Sequence, residues 1–553
     1  MTQQSQKKDK EKASRSTKKI VQTARFSGII ELMKTIKTEN KYSTFTRNVQ
    51  LKIDEFFAEK IIPENDSVRL LDEIAEGIKE PLERVLKRTG RNFKTSPVTM
   101  LKVILYAAME NIYSSRDIEE RCKRDINYIW LLNGEKVPNY RAICRFRSDV
   151  LSECSEEIFY ELDRKLKDKG EICFEHLFVD GTKIEANANK YSFVWKKSTN
   201  KYEQRALDKI EKLTEMLRLK YGITEENEFE IYKALKAKHT EPFVYGRGKR
   251  KSELQREIEE YEKLLTRKVK YESYQDTFDG RNSFSKTDKD ATFMHMKDDH
   301  MRNAQLKPGY NIQFAVEGEY ITGVDVSSER TDQLTLIPLL TRMKQHGVVY
   351  QDVTCDAGYE SEENYTYFEN CETECYIKPQ NYERSKTKKF KSNMALRENM
   401  KYDEEHDEYT CQNGKKLKAV YESKRKSKSD FESVITHYEC EDCTDCPYKK
   451  NCTKAEGNRK MQVSKKFIAQ RQASLERITS PTGIKLRMNR SIQSEGAFGV
   501  VKYDYGFQRY LHRGKKKVFT ETLIVAMGYN INKYHNKLQQ KRTGSQLHEK
   551  SVS

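Results

Sequence analysis

The chain contains two apolar stretches that each end in an aspartate and a small-residue turn, His176-Leu177-Phe178-Val179-Asp180-Gly181 and Val353-Thr354-Cys355-Asp356-Ala357-Gly358. Each stretch is typical of a buried strand. In open α/β sheets, reacting groups tend to lie at the carboxyl ends of strands. A carboxylate in that place costs free energy unless a cation or donor compensates it, and Mg²⁺ prefers carboxylates, waters and phosphate oxygens. The two stretches therefore predict an α/β fold with a divalent-cation site at Asp180 and Asp356.

The segment between these stretches alternates first like a β-hairpin and then like a helix. Residues 310–316 and 320–326 alternate with period two around a Gly318-Glu319 turn. A helix is predicted over residues 333–345, and a short helix and the strand Cys375-Tyr376-Ile377 follow the second stretch. The order strand, hairpin, helix, strand, helix, strand predicts a mixed sheet flanked by helices.

A third carboxylate, Glu495, lies in a predicted helix that also contains Arg490 and Lys502. The seven-residue step from Glu495 to Lys502 is close to two helical turns, so we expect both side chains on one face. The Glu would hold a metal ion while the Lys contacts a phosphate. For a single acidic residue at the end of a strand, a purely structural role is the more common one.

Hydrophobic periodicity divides the rest of the chain. Spacings of three and four residues predict an all-helical N-terminal part, with Ser96-Pro97 opening one of its helices. A second helical pattern interrupts the α/β pattern, and a charged segment holds a group of cysteines. The predicted domains are a disordered basic arm (1–25), a helical N-terminal domain (26–170), an α/β domain (171–380 and 461–538) with a helical-hairpin insertion (200–270), a Cys-rich insertion (381–460) and a polar tail (539–553).

The charge balance favours a polyanionic partner. Lys and Arg number 103 against 85 Asp and Glu, which gives a net charge of 103 − 85 = +18. Nucleic acid is the first candidate and an anionic membrane surface the second. The chain is only 36% hydrophobic and has no apolar run of about 18 residues, which argues against an integral membrane protein. The polar first residues do not resemble a secretory signal, so we expect a cytoplasmic protein with reduced cysteines.

Four of the 12 cysteines follow one another closely as Cys440-x₂-Cys443-x₂-Cys446-x₅-Cys452. Four thiolates can hold a tetrahedral Zn²⁺ and stabilise a segment with little apolar core. Structural zinc is the favoured interpretation, with free thiols or an iron–sulfur centre as alternatives. Among the basic runs, Lys515, Lys516 and Lys517 are the best candidates for phosphate contacts, although such runs are often only solvated surface.

Three blocks of the sequence resemble the catalytic blocks of bacterial DDE transposases of the eleven-eighty-two insertion-sequence type. They are Asp180-Gly-Thr-Lys183, Thr354-Cys-Asp356-Ala-Gly-Tyr359 and Glu495-Gly-Ala-Phe498-Gly499-Val-Val-Lys502. Further similar stretches begin at Thr287 and Lys307, and the resemblance spans roughly residues 45 to 535. It implies a ribonuclease-H-like catalytic domain in which Asp180, Asp356 and Glu495 bind two Mg²⁺ ions.

The resemblance also implies DNA contacts and a partner. Lys502 matches the helix signature of related enzymes, whereas Arg490 lies five residues before Glu495, where that signature has an Arg at four. Both are expected to contact DNA. The implied function is binding of terminal inverted repeats, DNA cleavage and strand transfer by a nucleoid-associated homodimer on double-stranded DNA. The alternatives are a stand-alone metal-dependent nuclease of the same fold and a non-catalytic, zinc-containing DNA-binding protein.

Overall fold

The computed structural model describes residues 58–89, 93–246, 248–296 and 305–549. The predicted basic arm (1–25) and the first part of the predicted N-terminal domain (26–57) lie outside the described residues. No helix of the described ranges is both long enough and apolar enough to cross a membrane.

The N-terminal part is helical, as its periodicity predicts. Pro97 occupies the first turn of the apolar helix, but the Ser96 side chain makes no capping hydrogen bond. Lys102, on the same helix, is almost buried and pairs with Asp72 and Glu76 at 2.7 and 2.6 Å. The helices are α1 Ser67–Gly77, α2 Glu80–Thr89, α3 Pro97–Met109, α4 Ser115–Arg124, α5 Ile126–Leu132, α6 Tyr140–Arg145 and α7 Ser152–Asp168, with a π-helical turn Phe146–Leu151 between the last two.

A mixed sheet follows α7 and carries both apolar stretches. Its elements and the helices inserted among them are β1 His176–Glu185, β2 Phe193–Trp195, α8 Lys196–Tyr221, α9 Glu228–Lys238, α10 Glu253–Phe278, β3 Ser283–Ser285, β4 Thr292–His295, β5 Leu306–Glu317, β6 Tyr320–Ser327, α11 Leu336–Gln345, β7 Asp352–Cys355, α12 Glu362–Glu369 and β8 Glu374–Ile377.

The order across this sheet is β6-β5-β1-β7-β8, with β4 also pairing the first part of β5. β1 is antiparallel to β5, and β5 is antiparallel to β6, whereas β1, β7 and β8 are mutually parallel. The predicted hairpin is β5–β6. The mixed α/β architecture predicted from the sequence is therefore present.

The helical insertion contains three helices rather than the two that the charge pattern suggests. α8, α9 and α10 surround a small core of their own, which includes Ile210, Leu235 and Tyr261. Asn227 caps α9 by accepting from the Phe229 N–H at 2.9 Å. The long helices begin at 196 and end at 278, beyond the predicted limits of 200 and 270.

The Cys-rich segment forms a five-stranded antiparallel sheet in the order β13-β12-β11-β10-β9. It has a small apolar core that includes Tyr409, Leu417 and Tyr438, although the sequence suggests almost none. Its elements, with the helices on either side, are α13 Tyr382–Ser385, α14 Lys388–Lys391, β9 Lys401–Asp403, β10 Glu408–Thr410, β11 Lys416–Lys426, β12 Glu432–Cys440, α15 Lys449–Cys452, β13 Lys460–Val463, α16 Lys465–Thr479, α17 Pro481–Gly499 and α18 Lys515–Gln539, with a π-helical turn Val500–Asp504 after α17.

α17 lies across the sheet and brings its side chains to β1 and β5. Ser480 caps this helix and Pro481 occupies its first turn. Phe498 stacks on Phe314 of β5 with ring centroids 4.6 Å apart. This packing carries the polar residues near the end of α17 towards the strand that holds Asp180.

Candidate active site

Asp180 and Asp356 lie side by side on neighbouring parallel strands. Val179 of β1 pairs with Cys355 of β7, so the two aspartates follow at adjacent positions. The sequence suggested that Asp180 ends its strand, but the strand continues beyond it. β1 continues to Glu185 along β5, and Asp180 marks the place where β1 parts from β7. The backbone N–H of Gly181 donates to Asp180 Oδ1 at 2.8 Å.

Arg490 of α17 joins Asp180 to Glu495. Its guanidinium lies 3.3 Å from Asp180 Oδ2 and 3.4 Å from Glu495 Oε1. The Asp180 and Arg490 side chains are only 16% and 13% exposed, whereas that of Glu495 is 61% exposed. Ser491 also donates to Glu495 Oε1 at 2.8 Å. The sequence predicted that Arg490 contacts DNA, and the structure places it between two of the predicted metal ligands.

Cys355, the last residue of β7, is surrounded by the same charged groups. Burial raises the pKa of its thiol well above the usual range, and the neighbouring Cys375 adds to this shift. The Asp180 and Asp356 carboxylates raise the pKa further, while the Arg490 guanidinium opposes them. Both aspartates and Arg490 therefore lie close to one buried side chain at the end of β7.

The oxygens of Asp180, Asp356 and Glu495 do not form a group in which all lie within 4.8 Å of one another. Within the described ranges, the group that meets this distance is Asp403, His406 and Glu408, on the β9–β10 hairpin. Those residues are largely exposed or already paired, since Glu408 accepts from Lys416 at 2.6 Å. In the carboxylate site, Arg490 occupies the space through which Asp180 and Glu495 would otherwise approach.

Lys502 does not share the environment of Glu495. The helix becomes a π-helical turn at Val500, and Lys502 within it is only 4% exposed. Its Nζ lies 3.4 Å from Thr182 Oγ1, two residues beyond Asp180 on β1. The seven-residue spacing assumed a regular helix, and a π-helical turn changes the direction of the side chains after it.

The three consecutive lysines are exposed in the first turn of α18. The Lys515 N–H donates to Asp290 Oδ2 at 2.8 Å, and Lys516 pairs with Glu153. Lys517 is also exposed. Their side chains are thus accessible to a phosphate, and the contact itself stays a prediction.

The four cysteines of the predicted zinc site are divided between a core and a surface. Cys440 and Cys443 are buried, while Cys446 and Cys452 are half-buried. Burial raises the pKa of the Cys440 thiol to about 12, and the adjacent Cys443 adds to the shift. Arg459 lies between Cys443 and Cys452. Its backbone nitrogen is 3.4 Å from Cys443 Sγ, and its Nη1 is 3.3 Å from Cys452 Sγ. In the part of the chain that the structure describes, these four sulfurs do not meet the 4.8 Å distance of a metal group.

Asp332, which the sequence analysis did not single out, lies beside both aspartate turns. It accepts a hydrogen bond from Asn311 Nδ2 at 2.7 Å. A Cβ placed on Gly181 would be 2.9 Å from one of its oxygens, and a Cβ on Gly358 would be 3.0 Å from the other. Its position between a strand and a helix is a weak signal by itself, because many loop aspartates occupy such places.

Two stretches of the chain match known protein families. Residues 410–535 match a family described as a transposase DDE domain, and residues 56–149 match one described as a transposase domain (DUF772). The first match contains the strands β11, β12 and β13 of the Cys-rich sheet together with α17 and Glu495. No curated protein and no solved structure matches the chain.

Proposed function

We propose that this chain, which its two transposase domains identify as an insertion-sequence DDE transposase, cleaves DNA at the element ends and joins the 3′ ends to target DNA. The observation that carries the proposal is that Arg490 contacts both Asp180 and Glu495, while Asp356 follows β7 at the position next to Asp180. The sheet order β6-β5-β1-β7-β8, with its first three strands antiparallel and the rest parallel, supports a ribonuclease-H-like catalytic domain. The finer assignment to the eleven-eighty-two type rests on the sequence resemblance alone.

The charges of the site suit divalent cations. The three carboxylates carry three negative charges and Arg490 carries one positive charge, which leaves two negative charges at the end of β7. Carboxylate oxygens are also the donors that Mg²⁺ prefers. Asp180, Asp356 and Glu495 would hold two such ions, which when bound supply activation of a water or 3′-hydroxyl and stabilisation of the leaving oxygen.

The protein groups contribute position. Glu495 comes from a helix more than 300 residues after Asp180, and Arg490 holds its carboxylate near the strand. Ser491 fixes the same Glu495 oxygen. Glu495 is more exposed than Asp180 and Asp356. We therefore infer that its carboxylate faces the side from which DNA would approach.

The remaining parts of the proposal concern partners. The N-terminal helices would bind the terminal inverted repeats, Lys515 to Lys517 would neutralise phosphates, and two copies would hold two ends together. The net charge of +18 supports binding to double-stranded DNA. The proposed place of action is the nucleoid in the cytoplasm, where such DNA lies. Zinc at Cys440, Cys443, Cys446 and Cys452 stays a prediction, which elemental analysis of the purified protein tests.

Cleavage of DNA that carries the element ends tests the proposal. We expect nicking and strand transfer in Mg²⁺, and loss of both in Asp356→Asn and Glu495→Gln. Glu476→Gln, which changes an exposed carboxylate of α16, is the matched control and should keep wild-type activity. Full activity in Asp356→Asn would refute the site. Cleavage without strand-transfer products would favour the stand-alone nuclease, and binding without cleavage would favour the non-catalytic DNA-binding protein.

A further inference from the structure

We propose that Asp332 is a positioning residue of this site, which braces the two turns that follow Asp180 and Asp356. The inference rests on the proposed function, because it concerns the same carboxylates. Asp332 begins a short 3₁₀ turn, Asp332–Leu334, just before α11. It is far in sequence from Asp180, and it belongs to none of the blocks on which the family resemblance depends.

The first line of evidence is steric. Gly181 directly follows Asp180, and a Cβ there would lie 2.9 Å from Asp332 Oδ1. Gly358 follows Asp356 by two residues, and a Cβ there would lie 3.0 Å from Asp332 Oδ2. Real Cβ atoms essentially never lie closer than 3.0 Å to another atom, and a distance of 3.0 Å is tighter than nine in ten real Cβ contacts. The Asp332 carboxylate therefore lies against both turns. At each of the two places the turn has a glycine, whose missing side chain leaves room for the carboxylate.

The second line of evidence is the anchoring of Asp332 to the sheet. Its Oδ1 accepts from Asn311 Nδ2 at 2.7 Å and from Gln313 Nε2 at 3.3 Å. These two residues are two positions apart on β5, so they project from the same face. Both are fully or almost fully buried, and Gln313 pairs in register with Gly181 of β1. Buried polar groups with these partners hold the Asp332 carboxylate at a fixed place.

Tyr359 completes the connection to the second turn. Its hydroxyl donates to Gln313 Oε1. Burial raises the pKa of Tyr359 well above its usual range, and the nearby Asp332 and Asp180 carboxylates add to the shift. The phenol consequently remains a donor at every pH at which the enzyme would work. β5, Asp332 and the turn after Asp356 thus form one connected network.

Among the described residues, Asn311 and Gln313 donate to the Asp332 carboxylate, and both hydrogen bonds are accepted by Oδ1. The other oxygen, Oδ2, lies next to Gly358. A bracing role needs the acceptor and the volume of this side chain, but not its charge. Asp332→Asn keeps both, because the amide oxygen can replace Oδ1. Asp332→Ala removes both. A residue that instead bound a metal ion directly would depend on the charge.

Kinetics of the two variants separate these roles. We expect Asp332→Asn to cleave element-end DNA within about threefold of wild type, and Asp332→Ala to lose at least about tenfold in rate at saturating DNA, because small displacements of reacting groups are costly. Asp332→Ala should also need more Mg²⁺ for half-maximal rate, with unchanged DNA affinity. Equal loss in both variants would overturn the bracing role, as would wild-type kinetics in Asp332→Ala.

A double-variant cycle tests the contact itself. Gly358→Ala should lower the melting temperature of the wild-type protein but should hardly change that of Asp332→Ala. In the second background, the atom nearest to the new methyl group would be the Cβ of residue 332 at 3.7 Å, which is an ordinary contact. Gly181→Ala is the matched control. It should stay destabilising in both backgrounds, because its Cβ would also lie 2.8 Å from Gln313 Nε2.

The cycle also separates this inference from the proposed function. If wild type and Asp356→Asn were equally inactive or equally active on DNA, the proposed function would fail, while the stability cycle could still be measured. Additive effects of Gly358→Ala and Asp332→Ala on the melting temperature would overturn the inference, whatever the activity. Coupling between them, together with rescue by Asp332→Asn, would support it.

Discussion

Arg490 connects two carboxylates, Asp180 and Glu495, that lie more than 300 residues apart in the sequence. Its spacing of five residues from Glu495 predicts a position near that carboxylate but not the contact with Asp180. The sequence analysis expected it to contact DNA by comparison with the helix signature of related enzymes, in which an Arg lies four rather than five residues before the Glu. Its position at 3.3 Å from Asp180 and 3.4 Å from Glu495 makes it a neutralising group within the site, and its contact with DNA stays a prediction. The ion pair with Asp180 could not be predicted from the sequence, because it depends on how α17 crosses β1.

We predict that Arg490→Ala makes the protein more responsive to Mg²⁺. In chelator, the free energy of unfolding should fall by about 1–3 kcal/mol, because the nearly buried Asp180 loses this charged partner, whereas Glu495 is 61% exposed and well screened. Added Mg²⁺ should then raise the melting temperature more than in wild type, because the site has one more uncompensated negative charge. Differential scanning fluorimetry with and without Mg²⁺ measures both effects.

The control for this prediction is Arg164→Ala, which removes an exposed i,i+3 pair with Glu161 on α7. It should leave the Mg²⁺ response at the wild-type value. An equal or smaller rise of the melting temperature in Arg490→Ala than in wild type would contradict the prediction.

Asp163 of α7 gives a prediction for the pH dependence of stability. Its side chain is fully buried, and neither carboxylate oxygen has a hydrogen-bond partner in the described part of the molecule. Burial raises its pKa well above the usual range, and the Glu317 carboxylate adds to the shift. The folded state therefore keeps a proton that the unfolded state releases, so stability falls as pH rises above the unfolded pKa of about 4.

Asp163→Asn should remove this contribution. Chemical unfolding between pH 5 and pH 8 should show a smaller fall in the free energy of unfolding for the variant than for wild type. Asp168→Asn, at the end of the same helix, should keep the wild-type slope, since Asp168 is exposed. Parallel pH profiles of wild type and Asp163→Asn would mean that this carboxyl group titrates normally.

At the scale of elements, regular patterns were predictable and irregular ones were not. The strands β1, β5, β6, β7 and β8 follow from apolar runs and period-two alternation. The π-helical turn Val500–Asp504 does not, and it accounts for the burial of Lys502. The contact of Asp332 with two turns depends on long-range packing, which a local pattern does not contain.

The segment after α18 shows the same limit. The sequence predicted a polar tail from residue 539, and the structure shows residues up to 549 lying along α17. Asn489, fully buried, accepts from the His548 N–H at 2.7 Å and donates to the His548 carbonyl at 3.1 Å. Gln493 donates to the Gln546 carbonyl at 2.9 Å. The polar composition of this segment suggested a tail surrounded by solvent. In the structure, its backbone is instead bound by the Asn489 and Gln493 side chains of α17.

Asn489→Ala tests whether this segment supports the helix that carries Glu495. The variant leaves the His548 N–H and carbonyl without their partner, which we expect to cost about 2 kcal/mol. Hydrogen exchange should become faster at residues 543–549 and along α17. Asn370→Ala is the control, because its side chain is exposed and donates only to Thr366 within its own helix. Unchanged exchange in Asn489→Ala would show that the segment does not stabilise α17.

At the scale of the whole molecule, the N-terminal helices and the α/β part share one core. α18, the last long helix, packs against both α3 and β6, and buried residues of all three belong to a single hydrophobic cluster. The sequence presented these parts as separate domains, because the change of periodicity near residue 170 is abrupt. The two family matches also lie in different parts of the chain, at 56–149 and 410–535. A DNA-end contact on the N-terminal helices would thus be connected through α18 to β6, which pairs with β5, the strand on which Phe498 of α17 stacks.

Gly528 lies where α18 and α3 approach most closely. A Cβ there would be 2.9 Å from Ala108 Cβ, 3.0 Å from the Ala108 carbonyl carbon and 3.1 Å from the Met109 nitrogen. Because two of these atoms are backbone, the helices must separate to accept a methyl group, and we expect Gly528→Ala to cost about 1–3 kcal/mol. Gly499→Ala, a helical glycine with no such neighbour, should instead be neutral or slightly stabilising. Calorimetry decides between a shared core and independent units: one transition that shifts as a whole supports the shared core, whereas two transitions of which only one moves would contradict it.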